Sequence, residues 1–534
     1  MSYYLGITNG PILNTLNDAC SPAGLWFAST FFSNLTRRLC KAFLDKYQNG
    51  VDILSPHFES GQNDFLQDGV GKYHDRIILK LSIDQNLDEV NKAVKKIMRD
   101  VKAESINDFP KQYHNIDGGP SFLENYLQCH YVLLTEENVQ KIEREGNVIL
   151  KISPYLDALE LMQTCPVDDK DNLFYKILTN KENNRNRTLK DSLLFKKVPE
   201  YANQLLDSDD GSRNIWSIED IASCHGIHKH SDLKKYNYFA VVQADGDRMG
   251  ALLNSIDEDE EVKAFSKNCM EYAREASAKV GEFGGMTIYA GGDDLLFLAP
   301  VENDKGVSVF KLCDDLNALF VNKMNSKNGN SGTVNTTLSF GIAIQHKKAP
   351  LYEALKNAAH LLFDVAKQEP KNNMAVELQK HSGQTVGLCI PVPAYTMLRE
   401  KYEVVAEKLG EIIDRKKAQF KDISTVGSSV IQTIYQNSNI MAIMDEAVSN
   451  ITEDDDGRQQ LWYGWKNFQD NVGQADFKEY YKAIVDLYYD CFLKNDYAIV
   501  NLGTDSDCKD KNLQALVGFL KLNKFLLEKA GEEE

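Results

Sequence analysis

The sequence predicts a mixed α/β (α+β) protein: two sheet-bearing domains followed by a bundle of helices. Three observations predict it. Residues 236–300 read strand, helix, strand, strand. Residues 3–135 carry a strand, helix, strand order of their own. From residue 393 onward apolar residues recur at helical spacing. At 534 residues the chain is too long for one core. Its 43% hydrophobic content is ordinary for a globular protein, and no apolar run approaches a membrane span. Ten cysteines without a CxxC suit a reducing compartment, and a cytoplasmic location is expected. A net charge of −18 argues against a stand-alone nucleic-acid binder, because phosphate contact needs basic surface.

Residues 1–160 form the first expected domain. Residues 3–8, 76–83 and 130–135 are short β-branched and aromatic runs, as strands require. Residues 25–44 form a helix with Trp26, Phe27, Phe31, Phe32 and Leu35 on its apolar side, and residues 87–101 form a second helix. The first strand ends in Thr8-Asn9-Gly10. Residues 161–235 read as a connector, with a polar run at 180–186 and an acidic one at 207–210. Residues 216–222 are a short helix capped by Ser217. Cys224, His225, His228 and His230 follow, with Cys165 the only obvious upstream companion. Structural zinc wants four ligands, commonly with paired cysteines, and the pairs are missing here. Zinc is therefore not expected.

Residues 236–385 form the second domain. The run 238–244 is a buried strand that stops at Asp245-Gly246-Asp247. Val262, Phe265, Cys269, Tyr272, Ala273, Ala276 and Val280 step by three and four along one helix face. Gly284-Gly285 ends that unit, and strands 286–290 and 295–299 flank the turn Gly291-Gly292-Asp293-Asp294. Two adjacent aspartates have no packing value and repel each other. A divalent cation removes that repulsion, and Mg²⁺ is commonly held by one or two carboxylates plus substrate phosphates. Glycines beside them let a phosphate approach the backbone. If the strand–helix–strand unit brings Asp245 to Asp293 and Asp294, three carboxylates suit a two-metal site for in-line attack on phosphorus. Residues 390–534 read as a helical bundle, with helices at 395–417, 426–451, 477–493 and 512–530. Its aromatics, among them Trp462, Trp465, Tyr480 and Tyr488, read first as core and second as an interaction surface.

The pair ADGDRMG and YAGGDDLLF resembles the palm nucleotidyl-cyclase domain shared by diguanylate cyclases and the large subunit of type III CRISPR effector complexes. GGDD in place of GG(D/E)EF resembles the CRISPR branch. The strand 337–344 with its S-x-G, the following His346-Lys347-Lys348-Ala349-Pro350-Leu351 and the helix 353–367 ending in Ala-Lys resemble the same domain. Gly6-Ile7-Thr8-Asn9-Gly10-Pro11 resembles the opening of the Cmr-type (III-B) subunit. The resemblance is highly specific at 236–380 and weaker elsewhere.

It implies two palm (ferredoxin-like) domains, the first a degenerate platform without a GGDD. It implies a subunit of a type III-B RNA-guided antiviral complex that makes cyclic oligoadenylate from ATP when target RNA pairs with the guide. Asp245, Asp293 and Asp294 would hold two Mg²⁺ or Mn²⁺ ions. Gly246, Gly291 and Gly292 would admit the nucleotide. Lys367 would face the β- and γ-phosphates, and Asn9 would contact the acceptor. Ser339 would reach the adenine or satisfy a strand edge; Lys347 and Lys348 read as a solvated turn. Partners would be the other effector subunits, which would supply most contacts to guide and target RNA. Many relatives carry an HD nuclease domain. The chain's only His-Asp is His74-Asp75, without a second ligand cluster, so no DNase activity is expected. AMP transfer to S-adenosylmethionine fits the same motif. A diguanylate-cyclase-like enzyme and an idle scaffold remain alternatives, and a template-dependent polymerase is disfavoured by the charge.

Overall fold

A computed structural model of the chain describes residues 2–58, 70–111, 125–162, 173–178, 216–325, 334–415, 423–449, 451, 454–471, 478–495, 498–502 and 510–528. The runs at 180–186 and 207–210, and Cys165, lie outside the described residues.

The first domain is built from β1 (Ser2–Gly10), α1 (Pro22–Tyr47), β2 (Val51–Ser55), β3 (Arg76–Ser82), α2 (Leu87–Glu104), β4 (Gln128–Thr135) and α3 (Val148–Glu160). Its sheet runs β2-β3-β1-β4 and is antiparallel throughout. Helix α1 is buried on every side from Pro22 to Thr36, a wider face than the five apolar residues implied. It is buried all round because it packs against its own domain and against the second sheet.

The second domain runs β5 (Tyr238–Gly246), α4 (Asp259–Phe283), β6 (Met286–Gly291), β7 (Asp294–Pro300), α5 (Val309–Asn325), β8 (Leu338–His346) and α6 (Leu351–His360), which continues into a π-helical turn (Leu361–Ala366). The strand order β8-β5-β7-β6 repeats the order β4-β1-β3-β2 of the first sheet, so both are ferredoxin-like. Alternate residues of β5 serve two cores. Ala240, Val242 and Ala244 face α4 and α5, whereas Phe239 and Val241 join the cluster of Trp26 and Phe27. A strand buried on both faces reads as a continuous apolar run, and that is why 238–244 shows no alternation.

Three strands were not anticipated. β9 (Asn373–Gln379) lies parallel to β8, β10 (Thr385–Pro391) pairs with β9, and β11 (Val500–Asn501) pairs with β10. The expected boundary at 385 therefore falls inside this extended sheet. The segment 390–534 is not wholly helical: it contains α7 (Val392–Arg415), α8 (Ile423–Ser449), α9 (Asp454–Asn471) and α10 (Lys478–Tyr488), then β11, then α11 (Lys511–Leu527). Helix α11 packs on β10 and β11, so bundle and sheet share one core. Trp465, Tyr480, Tyr481 and Tyr488 are buried, in keeping with the core reading, while Tyr463 is exposed. No helix among the described residues is long and apolar enough to cross a membrane.

The domains are joined through backbone as well as side chains. Ala290 N–H donates to Gly71 O (2.9 Å), and Ser29 Oγ donates to Ile288 O (2.7 Å). Tyr4 OH and Lys80 Nζ both donate to Asp259 at the start of α4 (2.9 and 2.8 Å).

Candidate active site

Strand β5 ends in Asp245-Gly246-Asp247, and its register against β7 sets Ala244 opposite Leu295. Asp294 therefore begins β7 next to the end of β5. Gly291 pairs with Asp294 across the hairpin, leaving Gly292 and Asp293 as a two-residue loop. Gly292 has φ +70°, the sign that the first position of such a loop favours. A Cβ on Gly246 would stand 2.8 Å from Asp293 Cβ and from one Asp293 carboxylate oxygen. Only glycine lets the hairpin lie this close to the strand end. The Gly246 amide then donates to the Asp293 carboxylate.

The result is a cluster of three carboxylates, Asp245 and Asp293 half-buried and Asp294 exposed to the cleft. Burial, and after it the Asp245 charge, pushes Asp293 up to about 6. Asp294 is pushed well above the usual carboxylate range by its enclosure, then by Asp293 and Asp245. Asp294 as a residue is nevertheless exposed to the cleft, so the charges of Asp293 and Asp245 beside it account for the rise better than burial does. Asp245 and Asp294 are within hydrogen-bonding reach of each other. Among the described residues no three His, Cys, Asp or Glu side chains form a ready-made metal cage, and Asp245 is ion-paired with Lys367. A hard divalent cation nonetheless fits this donor set. It consists of oxygen ligands only, it is electrostatically frustrated, and Mg²⁺ needs only one or two carboxylates when phosphates supply the rest.

The aspartates sit at the seam between domains. A cleft of about 830 Å³ opens on one side, walled by Thr8, Asn9 and Gln128 of the first domain and by Gln243, Asp294 and Phe363 of the second. A smaller cavity of about 340 Å³ lies on the other side of the turn and shares Asp75, Tyr289 and Asp294 with the first.

Residues 238–375 match the family model described as "Cas10/Cmr2, second palm domain". That span starts with β5 and reaches the extra strand β9 beyond the four palm strands. Over this span the chain carries a palm domain of the Cas10/Cmr2 type. A curated relative, the CRISPR system Cmr subunit Cmr2 of Pyrococcus furiosus, is 32% identical over 174 residues. That alignment takes in 27% of this chain and 19% of the relative's length. The fold is similar to a chain in the cryo-electron-microscopy structure of an apo type III-B Cmr-β complex, with a TM-score of 0.51 at 13% identity. The similarity covers 97% of this chain and 81% of that one.

Within this Cas10/Cmr2-type palm the residues singled out from sequence fall into two groups. Asp245, Gly246, Gly291, Gly292, Asp293 and Asp294 converge on the seam. Asn9 lines the large cleft together with Asp294; its backbone N–H and Nδ2 both donate to Asp75 O (3.0 and 3.3 Å). Ser339 and Lys367 lie behind the strand end instead. Ser339 is fully buried, and its hydroxyl donates to Asp247 (2.9 Å). Lys367 Nζ donates to the carbonyls of Asp245 (2.9 Å) and Gly246 (2.7 Å). Lys347 is at the opposite end of β8, where it pairs with Glu219 (2.7 Å). Cys224 donates its thiol to Glu302 O (3.2 Å), and burial pushes it up to about 12. The His225 ring lies 3.4 Å from the Trp216 ring, centroid to centroid. Ser217 caps its helix as expected, in a reciprocal pair with Asp220.

Two residues escaped the sequence reading. Asp247 is the second carboxylate of Asp-Gly-Asp, and that spacing was the available signal. Asp75 reaches the seam from the first domain, and its repulsion helps to raise the pKa of Asp294. Its neighbour His74 is held down to about 4 by burial, then by Arg76, and meets Ser55 Oγ at 3.1 Å. No local pattern linked position 75 to positions more than 200 residues away. Gly246→Ala tests the close approach of turn to strand: the added methyl displaces Asp293, and Mn²⁺ affinity is expected to fall about 10- to 100-fold by calorimetry. Unchanged affinity would show that the turn tolerates the methyl without moving its carboxylate.

Proposed function

We propose that this chain is the nucleotidyl-transferring subunit of a type III CRISPR effector complex, of the III-B kind, and that it makes an adenylate second messenger from ATP. The observation that carries the reading is the gathering of Asp245, Asp293 and Asp294 beside a glycine hairpin at the mouth of a two-domain cleft. Asp293 and Asp294, with the free side of Asp245, would hold Mg²⁺ or Mn²⁺. Such ions supply Lewis-acid stabilisation of the phosphates and lower the pKa of the attacking hydroxyl. Gly292 has open space where a side chain would stand, so polyphosphate can approach the turn closely. The first domain, through Asn9 and its neighbours, forms the wall on the acceptor side.

In the step proposed, the 3′-hydroxyl oxygen of one ATP attacks the α-phosphorus of another. The bond from that phosphorus to the β-phosphate oxygen breaks, pyrophosphate leaves with the electron pair, and the hydroxyl proton is lost. With a chain charge of −18, guide and target RNA would be held mainly by the partner subunits.

The test is incubation of the purified complex with labelled ATP or GTP, with and without target RNA and S-adenosylmethionine, and mass spectrometry of the products. Oligoadenylate and pyrophosphate, appearing with target RNA, are expected. An AMP conjugate formed only with S-adenosylmethionine would keep the chemistry and replace the acceptor. Turnover of GTP alone would overturn the reading.

A further inference from the structure

Behind the aspartates lies a second, buried arrangement centred on Asp247. Its side chain is 1% exposed and accepts four donors: Thr337 Oγ1 (2.8 Å), Ser339 Oγ (2.9 Å), Lys367 Nζ (3.0 Å) and Asn372 N (3.1 Å). Lys371 and Asn372 both have positive φ, and this turn aims the Asn372 amide at the carboxylate. Lys367 is engaged on all sides. Besides Asp247, its ammonium meets the carbonyls of Asp245 and Gly246 and the Asp245 carboxylate. An ammonium has three N–H donors. Four oxygens already share them, so none is left over for a phosphate in this arrangement.

The geometry points to Lys367 and Asp247 as a positioning pair: the ammonium, anchored on the buried Asp247, fixes the backbone of Asp245 and Gly246 and thereby sets the Asp245 carboxylate against the Asp293–Asp294 turn. The inference rests on the proposed cation site. Neither residue is a catalytic residue in this assignment. Asp247 lies on the far side of the strand end, closed off from both cavities by the groups it accepts from.

Positioning and electrostatics predict opposite signs. Removing a positive charge beside three carboxylates would, by Coulomb's law alone, tighten cation binding. Removing the support that aims Asp245 weakens it. Lys367→Met in the full chain is expected to reduce Mn²⁺ affinity, measured without nucleotide by calorimetry, about 10- to 100-fold. Lys367→Arg is expected to recover only part, because a planar guanidinium cannot meet four oxygens arranged around a point charge.

Lys367→Met leaves a buried carboxylate without its cation, so Asp247→Asn and the double variant are measured beside it. As a coupled pair, the double variant should bind Mn²⁺ no worse than either single one. Amide exchange over residues 243–249 should rise in Lys367→Met with no metal present. Tighter Mn²⁺ binding in Lys367→Met, a raised KM for ATP with Mn²⁺ affinity intact, or fully additive losses would each overturn the pair. Faster exchange in a chain whose wild type binds no Mn²⁺ would keep the mechanical link and sink the cation site instead.

Discussion

Asp293→Asn with Asp294→Asn is expected to abolish nucleotide turnover and, above pH 6, to make the chain more stable. Both effects come from one feature. The like charges of the aspartates are held close together at the seam, which a fold would not choose for its own stability. Loss of cation ligands should cost several kcal/mol of transition-state stabilisation, or a rate loss of about 10³-fold or more. For stability, the sign follows from the raised pKa. Asp293 goes from an ordinary value of 3.8 to about 6 on folding, so the folded chain binds more protons than the unfolded one between those values. Stability therefore falls as pH rises through 6. Asn carries no charge and escapes this cost. Without metal, the apparent Tm of the variant should exceed that of the parent by on the order of 2 °C at pH 8, with the gap closing near pH 4. A variant less stable than its parent at pH 8 would show that the carboxylates support the fold, and residual turnover above one part in a hundred would remove them from the chemistry.

The second large effect is expected at Gly341, which lines neither cavity. A Cβ there would stand 2.1 Å from Ala358 O and 2.5 Å from Leu362 N, both backbone atoms of the helical segment that leads to Lys367. Backbone cannot step aside as a side-chain tip can. Gly341→Ala should push α6 off the sheet at a cost of about 1–3 kcal/mol or more, lowering Tm by on the order of 5 °C. Because Lys367 follows directly, Mn²⁺ binding should weaken as well. Gly410→Ala is the control: it lies in α7 with open space around it, and alanine favours helix. An equal response in both variants would mean that the close contact at Gly341 is not what matters.

Gly341 also shows what the sequence held and what it withheld. Ser339-Phe340-Gly341 was legible as part of a palm strand. The sequence did not say that the serine turns inward to Asp247 while the glycine admits a helix. Local runs and turn chemistry identified β5, the β6–β7 hairpin and α4 to within a few residues. The approach of Asp245 to the turn was inferred from strand order and is present. Lys367 was harder. The resemblance set it against the β- and γ-phosphates, whereas its ammonium lies under the strand end, on the carbonyls of Asp245 and Gly246. Strands β9 and β10 form a hairpin with each other that the sequence reading passed over, and β11 was missed because its partner β10 is distant in sequence and the short run 500–501 has no pattern of its own. Asp75 was missed for the same reason.

The hydrogen bond from Ala290 to Gly71 bears on how such a chain can be controlled. Ala290 is four residues before Asp294 on the same tight hairpin. The first domain thus grips the stem of the loop by its main chain, where there is no rotamer to absorb a displacement. A tilt of that domain would act directly on the stem of the hairpin that carries the carboxylates. A regulator would have no need to touch the acidic residues; leaning on the opposite wall would retune the spacing between them.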